Sequence, residues 1–150
     1  MIHDDTLPQQ MEERLTNDGL AIFLFHGVIK RQQHKVRNYT GKHILADLFV
    51  RCMKRISTIG RAMSMDEVLD LIENGEKFSP KAYAITFDDG FENNISVATP
   101  ILADLNIPMM IYITSGFIEQ NGMSWVDRIE QAVEEAPTQT LDVDWATDSF

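Results

Sequence analysis

Six consecutive residues, Ala82–Phe87, carry almost no polar surface and stop abruptly at two carboxylates and a glycine, Asp88, Asp89 and Gly90. A short run that is apolar on both alternating sides fits a strand covered on both faces, the environment of a parallel sheet. The strand's carboxyl end is then the place to look for chemistry, because ligands bind at that edge in α/β sheets and barrels. Adjacent carboxylates repel each other, and neither belongs in a core. Two readings of the end remain open. It is a polar turn in which Gly90 supplies a positive φ, or it is a metal or acid–base site.

The neighbouring segments supply the rest of an α/β chain. Residues 20–25 form a second buried-strand pattern that ends in His26-Gly27, and residues 109–114 form a third that ends in Ser115-Gly116. His26 lines the same cleft as Asp88 or is a core histidine bonded to backbone; a polar tip on an apolar strand fits both. Residues 7–17 suit a short helix capped by Thr6, with Pro8 in its first turn. Ile44, Leu45, Leu48, Phe49, Cys52, Met53, Ile56 and Ile59 recur at helical spacing and predict an amphipathic helix closed near Gly60. A short strand at 62–63 follows. Ser64 and Glu67 make a capping-box pattern for a helix ended by Gly75. Residues 93–105 predict a helix with Ile95, Ala98, Ile101, Leu102 and Leu105 inward, kinked or reset by Pro100. Ser124 caps a last helix over 125–135 with Ile129, Ala132 and Val133 inward. One more strand is expected near 141–145. Strands alternating with helices predict parallel strands joined by right-handed crossovers.

Composition excludes several classes. The 150 residues are 44% hydrophobic, enough for the core of one domain. The net charge of −10 makes nucleic acid and anionic membrane poor partners. The only cationic stretch, residues 30–43, reads as solvated loop before it reads as a patch that steers an anionic or sugar-rich substrate, and its His34 and His43 do not fit a metal-ligand spacing. The single cysteine, Cys52, allows no internal disulfide and reads as a small core residue. No signal peptide or apolar span is present, so a cytoplasmic chain without a membrane span is expected.

The segment Ile85-Thr86-Phe87-Asp88-Asp89-Gly90-Phe91 resembles the first motif of the polysaccharide deacetylases, the NodB-homology family. Phe23-Leu24-Phe25-His26-Gly27-Val28, Pro100-Ile101-Leu102, residues 107–113 and Met123-Ser124-Trp125 with Asp127 are similar to flanking segments of that family. The resemblance spans roughly residues 20–135. It implies a distorted (β/α) barrel of which this chain holds the N-terminal part: a single domain over 1–150, an extension over 1–18, and a tail over 137–150 that continues into the rest of the barrel. A sheet edge would then stay open beyond the strand at 109–114, favouring self-association.

The resemblance also implies roles. Asp88 corresponds to the general base and Asp89 to a ligand of a divalent metal, zinc foremost. The substrate would be an N-acetylated glycan and the reaction its deacetylation. Adjacent strand residues point to opposite sides, which suits such a division. His26, Gly90, Phe91, Ser115, Gly116 and Trp125 are the expected cleft-lining residues. The family's second motif, His-x-x-x-His, has no counterpart, since no histidine follows His43. One carboxylate and at best His26 fall short of the three protein ligands a catalytic zinc needs, so this chain alone is expected to be inactive and to bind zinc weakly. Two alternatives stand beside the deacetylase. A non-catalytic carbohydrate-binding or interaction relic would keep the fold without the ligands. A haloacid-dehalogenase-type phosphatase would need its second Asp two residues on, where Gly90 stands.

Overall fold

The computed structural model describes residues 6–33, 36–119 and 122–137. His34 and the strand expected near 141–145 lie outside them. Strand β5 (Ala82–Phe87) is the centre of a parallel sheet, and all six of its residues are buried. Strand β1 (Leu20–Phe25) runs beside its whole length, in register from Leu20↔Ala82 to Phe25↔Phe87. The opposite flank is shared. Strand β4 (Arg61–Ala62) pairs with the start of β5 and β6 (Met109–Ile111) with its end. The backbone shows this division. The carbonyls of Lys81, Tyr83 and Phe87 accept from Arg61, Met63 and Tyr112, while Asp88 N–H donates to Phe25. The result is the α/β fold with parallel strands that the alternating pattern predicts.

Helices cover both faces of β5. Tyr83, Ile85 and Phe87 pack in the main core with Met11 of α1 (Leu7–Glu13) and with Phe49, Cys52, Met53 and Ile56 of α2 (Ala46–Ser57). Ala82 and Ala84 pack with Met63 and with Val68 of α3 (Met65–Glu73). Phe25, Phe49 and Phe87 stack edge-on or tilted at 5.1–6.1 Å directly beneath the strand ends. That aromatic floor fixes the positions at which His26 and Asp88 leave the sheet. The Ser64–Glu67 capping box forms, and Gly75 leaves α3 with φ +67°. Cys52 is buried, and burial raises its thiol pKa to about 11, as for a core residue.

Several sequence expectations are corrected. Thr6 makes no capping bond. Its hydroxyl accepts instead from the Gln10 side chain, and α1 ends at Glu13 rather than 17. The strands at 20–25 and 109–114 are not buried on both faces. Ile22 and Leu24 are exposed because they share the sheet face of Ala84 and Thr86, where the cluster of Met63 and Val68 reaches Ala82, Ala84 and Leu20 but not them, and β6 stops at Ile111 with Tyr112 and Ile113 exposed. Ile44 and Leu45 belong to a strand, not to the helix. Strand β3 (His43–Leu45) pairs in parallel with β2 (Gly27–Ile29), and this small second sheet has no signature at the length of three residues. The short strand at 62–63 forms one residue earlier. Pro100 resets the helix at 93–105 as a π turn, Asn94–Ala98, followed by α4 (Thr99–Asp104). The wider turn changes the phase, so Asn94 is buried and Ile95 is exposed. Helix α5 (Ser115–Glu119) is an addition to the expected elements. Helix α6 (Trp125–Glu135) has the expected bounds and Ser124 cap, but Ile129 and Val133 are each 54% exposed and Ala132 is exposed too; the buried residue is Glu130. Val36 N–H donates to Glu134 and Asn38 N–H to Glu130, and these bonds turn the acidic face inward.

Candidate functional site

Because β1 and β5 end in register, His26 and Asp88 leave the sheet side by side. Asp88 N–H donates to the Phe25 carbonyl at 2.9 Å, and the buried Asn94 amide, once turned with its nitrogen towards the His26 carbonyl, donates to it at 2.9 Å. Asp88 and Asp89 are both half-buried. The strand ends at Phe87, just before them, and the chain turns away at Asp89 with φ +68° and Gly90 with φ +71°. Strand alternation therefore does not set the direction of Asp89; the left-handed turn does. Asp tolerates that conformation better than most residues, at a cost that is commonly met at functional sites. Thr114, just past β6, donates its hydroxyl to Asp89 Oδ1 at 3.3 Å. Position 90 has to be glycine, since a Cβ there would meet Ile113 Cγ2 at 2.8 Å with the backbone at positive φ.

Beside this edge lies a second polar layer that the sequence reading missed. His43, at the start of β3, is bracketed by Asn38. His43 N–H donates to Asn38 Oδ1 at 2.8 Å, and Asn38 Nδ2 donates to the His43 carbonyl at 2.9 Å. Asn93 carries the ring: its Nδ2 lies 3.1 Å from His43 Nδ1, and its Oδ1 accepts from Val28 N–H at 3.3 Å. The ring packs edge-on against Phe91 with centroids 4.7 Å apart. Lys42 sits over the same phenyl ring at 5.2 Å and forms an ion pair with Asp127. Burial, helped by the charge of Lys42, lowers the His43 pKa, against the opposing pull of Asp127 and Glu130. Burial works against the charge on Asp127, but hydrogen bonds from Lys42 and Ser124 outweigh it and hold its carboxyl below the ordinary range. His43 is thus neutral at pH 7, and Asp127 is ionised.

These layers border a cavity of about 860 Å³. Asp89, Gly90 and Phe91 line it; Asp88, His26, Ser115, Gly116 and Trp125 do not. Ser115 and Gly116 open helix α5, and Trp125 is 73% exposed at the start of α6. Among the residues on its wall that the sequence reading did not assign to the site are His43, Asn93, Asn38 and Glu130. One signal for them was present: Gly27, at a strand end, leaves room for a ring. A Cβ there would meet His43 Nδ1 at 2.2 Å and Asn93 Oδ1 at 2.6 Å.

The residues do not fit a complete metal centre. Among the described residues no group of three His, Cys, Asp or Glu side chains is placed to hold an ion. Nor is any helix among them long and apolar enough to cross a membrane.

Comparison with known proteins places this geometry in a family context. Residues 75–144 match the family model for polysaccharide deacetylase. The match starts after the first strand and His26, so it is narrower than the span over which the sequence resembles that family. No curated protein sequence matches significantly. Among solved structures, IcaB from Ammonifex degensii is 22% identical with a TM-score of 0.58, over 75% of this chain and 44% of that one. The deacetylase PplD from Streptococcus pyogenes, in complex with acetate, is 19% identical with a TM-score of 0.57, over 77% and 51%. The de-N-acetylase from Aggregatibacter actinomycetemcomitans is 22% identical with a TM-score of 0.57, over 77% and 52%. The chain thus spans about half the length of the structures it matches. Its fold is a partial distorted (β/α) barrel of the deacetylase type.

Proposed function

We propose that this chain, which carries polysaccharide deacetylase sequence over residues 75–144, is part of a hydrolase that removes N-acetyl groups from a glycan. The observation that carries the reading is the end of β5, where a fully buried strand delivers Asp88 and Asp89 to the carboxyl edge of a parallel sheet. In this reading Asp88 is the general base. It takes a proton from a water molecule as the oxygen of that water bonds to the acetamide carbonyl carbon, and when the C–N bond then breaks that proton passes to the departing nitrogen, which yields acetate and a sugar amine. The bond from its own N–H to the Phe25 carbonyl and the aromatic floor below hold Asp88 in place for that step.

Asp89 is assigned to a divalent cation, zinc foremost, which in a complete site would polarise the carbonyl. The described residues do not complete its ligand set, so Asp89 would be one ligand among others supplied from outside them. The chain is assigned as a single domain over 1–150 that forms part of such a barrel, with 1–18 as an extension and 137–150 as a tail. Of the residues expected in the cleft, Gly90 and Phe91 are assigned to it beside Asp89, His26 is assigned to the strand edge next to Asp88, and Ser115, Gly116 and Trp125 are left outside the cavity; an N-acetylated glycan is the partner. The incomplete ligand set also supports a second reading, a non-catalytic carbohydrate-binding relic of the fold.

Acetate release from N-acetylglucosamine oligomers tests the choice. A polypeptide that extends this segment through the rest of the barrel should release acetate with zinc present, whereas residues 1–150 alone should not. Binding of the oligomers without acetate release by the extended polypeptide would favour the relic.

A further inference from the structure

We propose that Asn94 is a positioning residue for the acid pair: its buried amide ties the end of β1 to the turn after β5 and so holds Asp89 in its left-handed conformation. The inference rests on the reading of Asp88 and Asp89 above and deepens it by naming what keeps the second acid in place. Asn94 is 0% exposed, the only fully buried amide side chain among the described residues. A polar group in such a place is costly unless it is paired. Its neighbours are an acceptor, the His26 carbonyl, and a donor, the Phe91 N–H. One orientation of the amide pairs both: the nitrogen donates to His26 at 2.9 Å and the oxygen accepts from Phe91 at 3.3 Å. The π turn fixes the residue there. Asn94 N–H donates to the Phe91 carbonyl at 2.9 Å, and the Asn94 carbonyl accepts from Thr99 N–H and, at 2.9 Å, from the Thr99 hydroxyl.

The chain from Asp88 to Phe91 is thereby pinned to β1 at both ends. At the start, Asp88 N–H bonds directly to the Phe25 carbonyl. At the finish, Phe91 N–H bonds through the Asn94 amide to the carbonyl of the next residue, His26. Between the pins lie the two left-handed residues, Asp89 at φ +68° and Gly90 at φ +71°. Gly90 adopts that backbone freely. Asp89 does so at a cost, and such a conformation persists only where its surroundings over-determine it. The Thr114 hydroxyl meets the Asp89 side chain at an exposed position and leaves its backbone unconstrained. The pins are what constrain it. Without the amide, Phe91 N–H and the His26 carbonyl lose their partner. The turn is then free to relax to a negative φ at Asp89, which re-aims the carboxylate assigned to the cation. A leucine would fill the same core space without making either bond, so packing alone does not call for asparagine here.

NMR of residues 1–150 tests this, because backbone shifts and couplings report the sign of φ at Asp89. Asn94→Leu and Asn94→Ala should keep the β1–β5 signals, lose the positive φ at Asp89, and exchange the Phe91 amide about ten-fold faster or more. Thr99→Val removes a hydrogen bond from the same π turn but leaves the amide. It should lower the melting temperature and leave Asp89 unchanged. In a polypeptide extended through the rest of the barrel, Asn94→Leu should bind zinc more weakly and turn over about 10²-fold more slowly, as for a misplaced site. A positive φ kept at Asp89 in a folded Asn94 variant overturns the proposal. So does its loss in Thr99→Val, which would assign the change to general loosening, and so does native turnover in Asn94→Leu. If neither Asn94 variant folds, the native chain decides: slow exchange of the Phe91 amide and of one Asn94 side-chain proton supports the clamp, and fast exchange of either overturns it. The two readings fail separately. No acetate release from the native extended polypeptide sinks the deacetylase, while φ at Asp89 still decides the role of Asn94. Acetate release with Asp89 unmoved in the variants sinks the positioning role alone.

Discussion

Asn93 fixes the tautomer of His43. The Asn93 carbonyl oxygen accepts from Val28 N–H at 3.3 Å, which turns its NH₂ towards His43 Nδ1 at 3.1 Å. A neutral ring that accepts at Nδ1 carries its proton on Nε2. Nitrogen-detected NMR of the imidazole should show the Nε2–H form in the native chain and a mixture in Asn93→Ala, which should also lose about 1 kcal/mol of stability. An Nδ1–H ring in the native chain would contradict the arrangement.

Gly27 makes that contact possible. In Gly27→Ala the new methyl would overlap His43 Nδ1 and Asn93 Oδ1 at 2.2 and 2.6 Å, so the ring has to move. Denaturant unfolding should show a loss of about 1–3 kcal/mol, typical of overpacking, with the imidazole signals shifted. A variant as stable as the native chain, with unshifted signals, would mean that the ring is not held there.

The lowered pKa of His43 sets a pH dependence. Its folded value lies below its unfolded value of 6.5. Between the two the unfolded state binds the extra proton, so stability is fully present above pH 6.5 and falls as pH drops through that window. Melting temperature should be level from pH 8 to 7 and decline towards pH 5, and His43→Gln should flatten that part of the profile. Lys42, Asp127, Glu130 and His26 are the charged or titratable neighbours that shape it. Asp127, also lowered, acts in a different window, below 3.8. A decline of the same size in His43→Gln would assign it to other groups.

Apolar surface is left open in two places. Ile22 and Leu24 on β1 are 51% and 54% exposed, and α6 shows Trp125, Ile129 and Val133. An open strand edge and such patches favour association, which the net charge of −10 opposes without covering them. Sedimentation of residues 1–150 should show concentration-dependent self-association that increases with salt. A strictly monomeric species across the range would contradict it.

What was legible in the sequence follows the range of the signals. The bounds of β5, α3 and α6 come from local features: an unbroken apolar run, the Ser64–Glu67 box and the Ser124 cap. The β2–β3 ribbon left no mark, because three-residue strands have too few positions for a period. The inward face of α6 was misread because the decisive contacts are polar and distant; Glu130 meets Asn38 across 92 positions. His43 was passed over for the same reason. Its spacing to His34 carries nothing, and its partner Asn93 lies 50 residues away. The Asp pair was legible as a site, but the left-handed turn at Asp89 was not, because a strand pattern does not say where the strand stops being straight.

Separate work for Asp88 and Asp89 is tested most directly by measuring zinc content and acetate release together, in a polypeptide that extends this chain through the rest of the barrel. Asp89→Asn should lose the metal and the activity, because an amide is a weak neutral ligand. Asp88→Asn should keep the metal and lose turnover by about 10²–10⁴-fold, as for a removed general base. Equal loss of zinc in the two variants, or an Asp88→Asn enzyme that turns over at the native rate, would contradict the assignment.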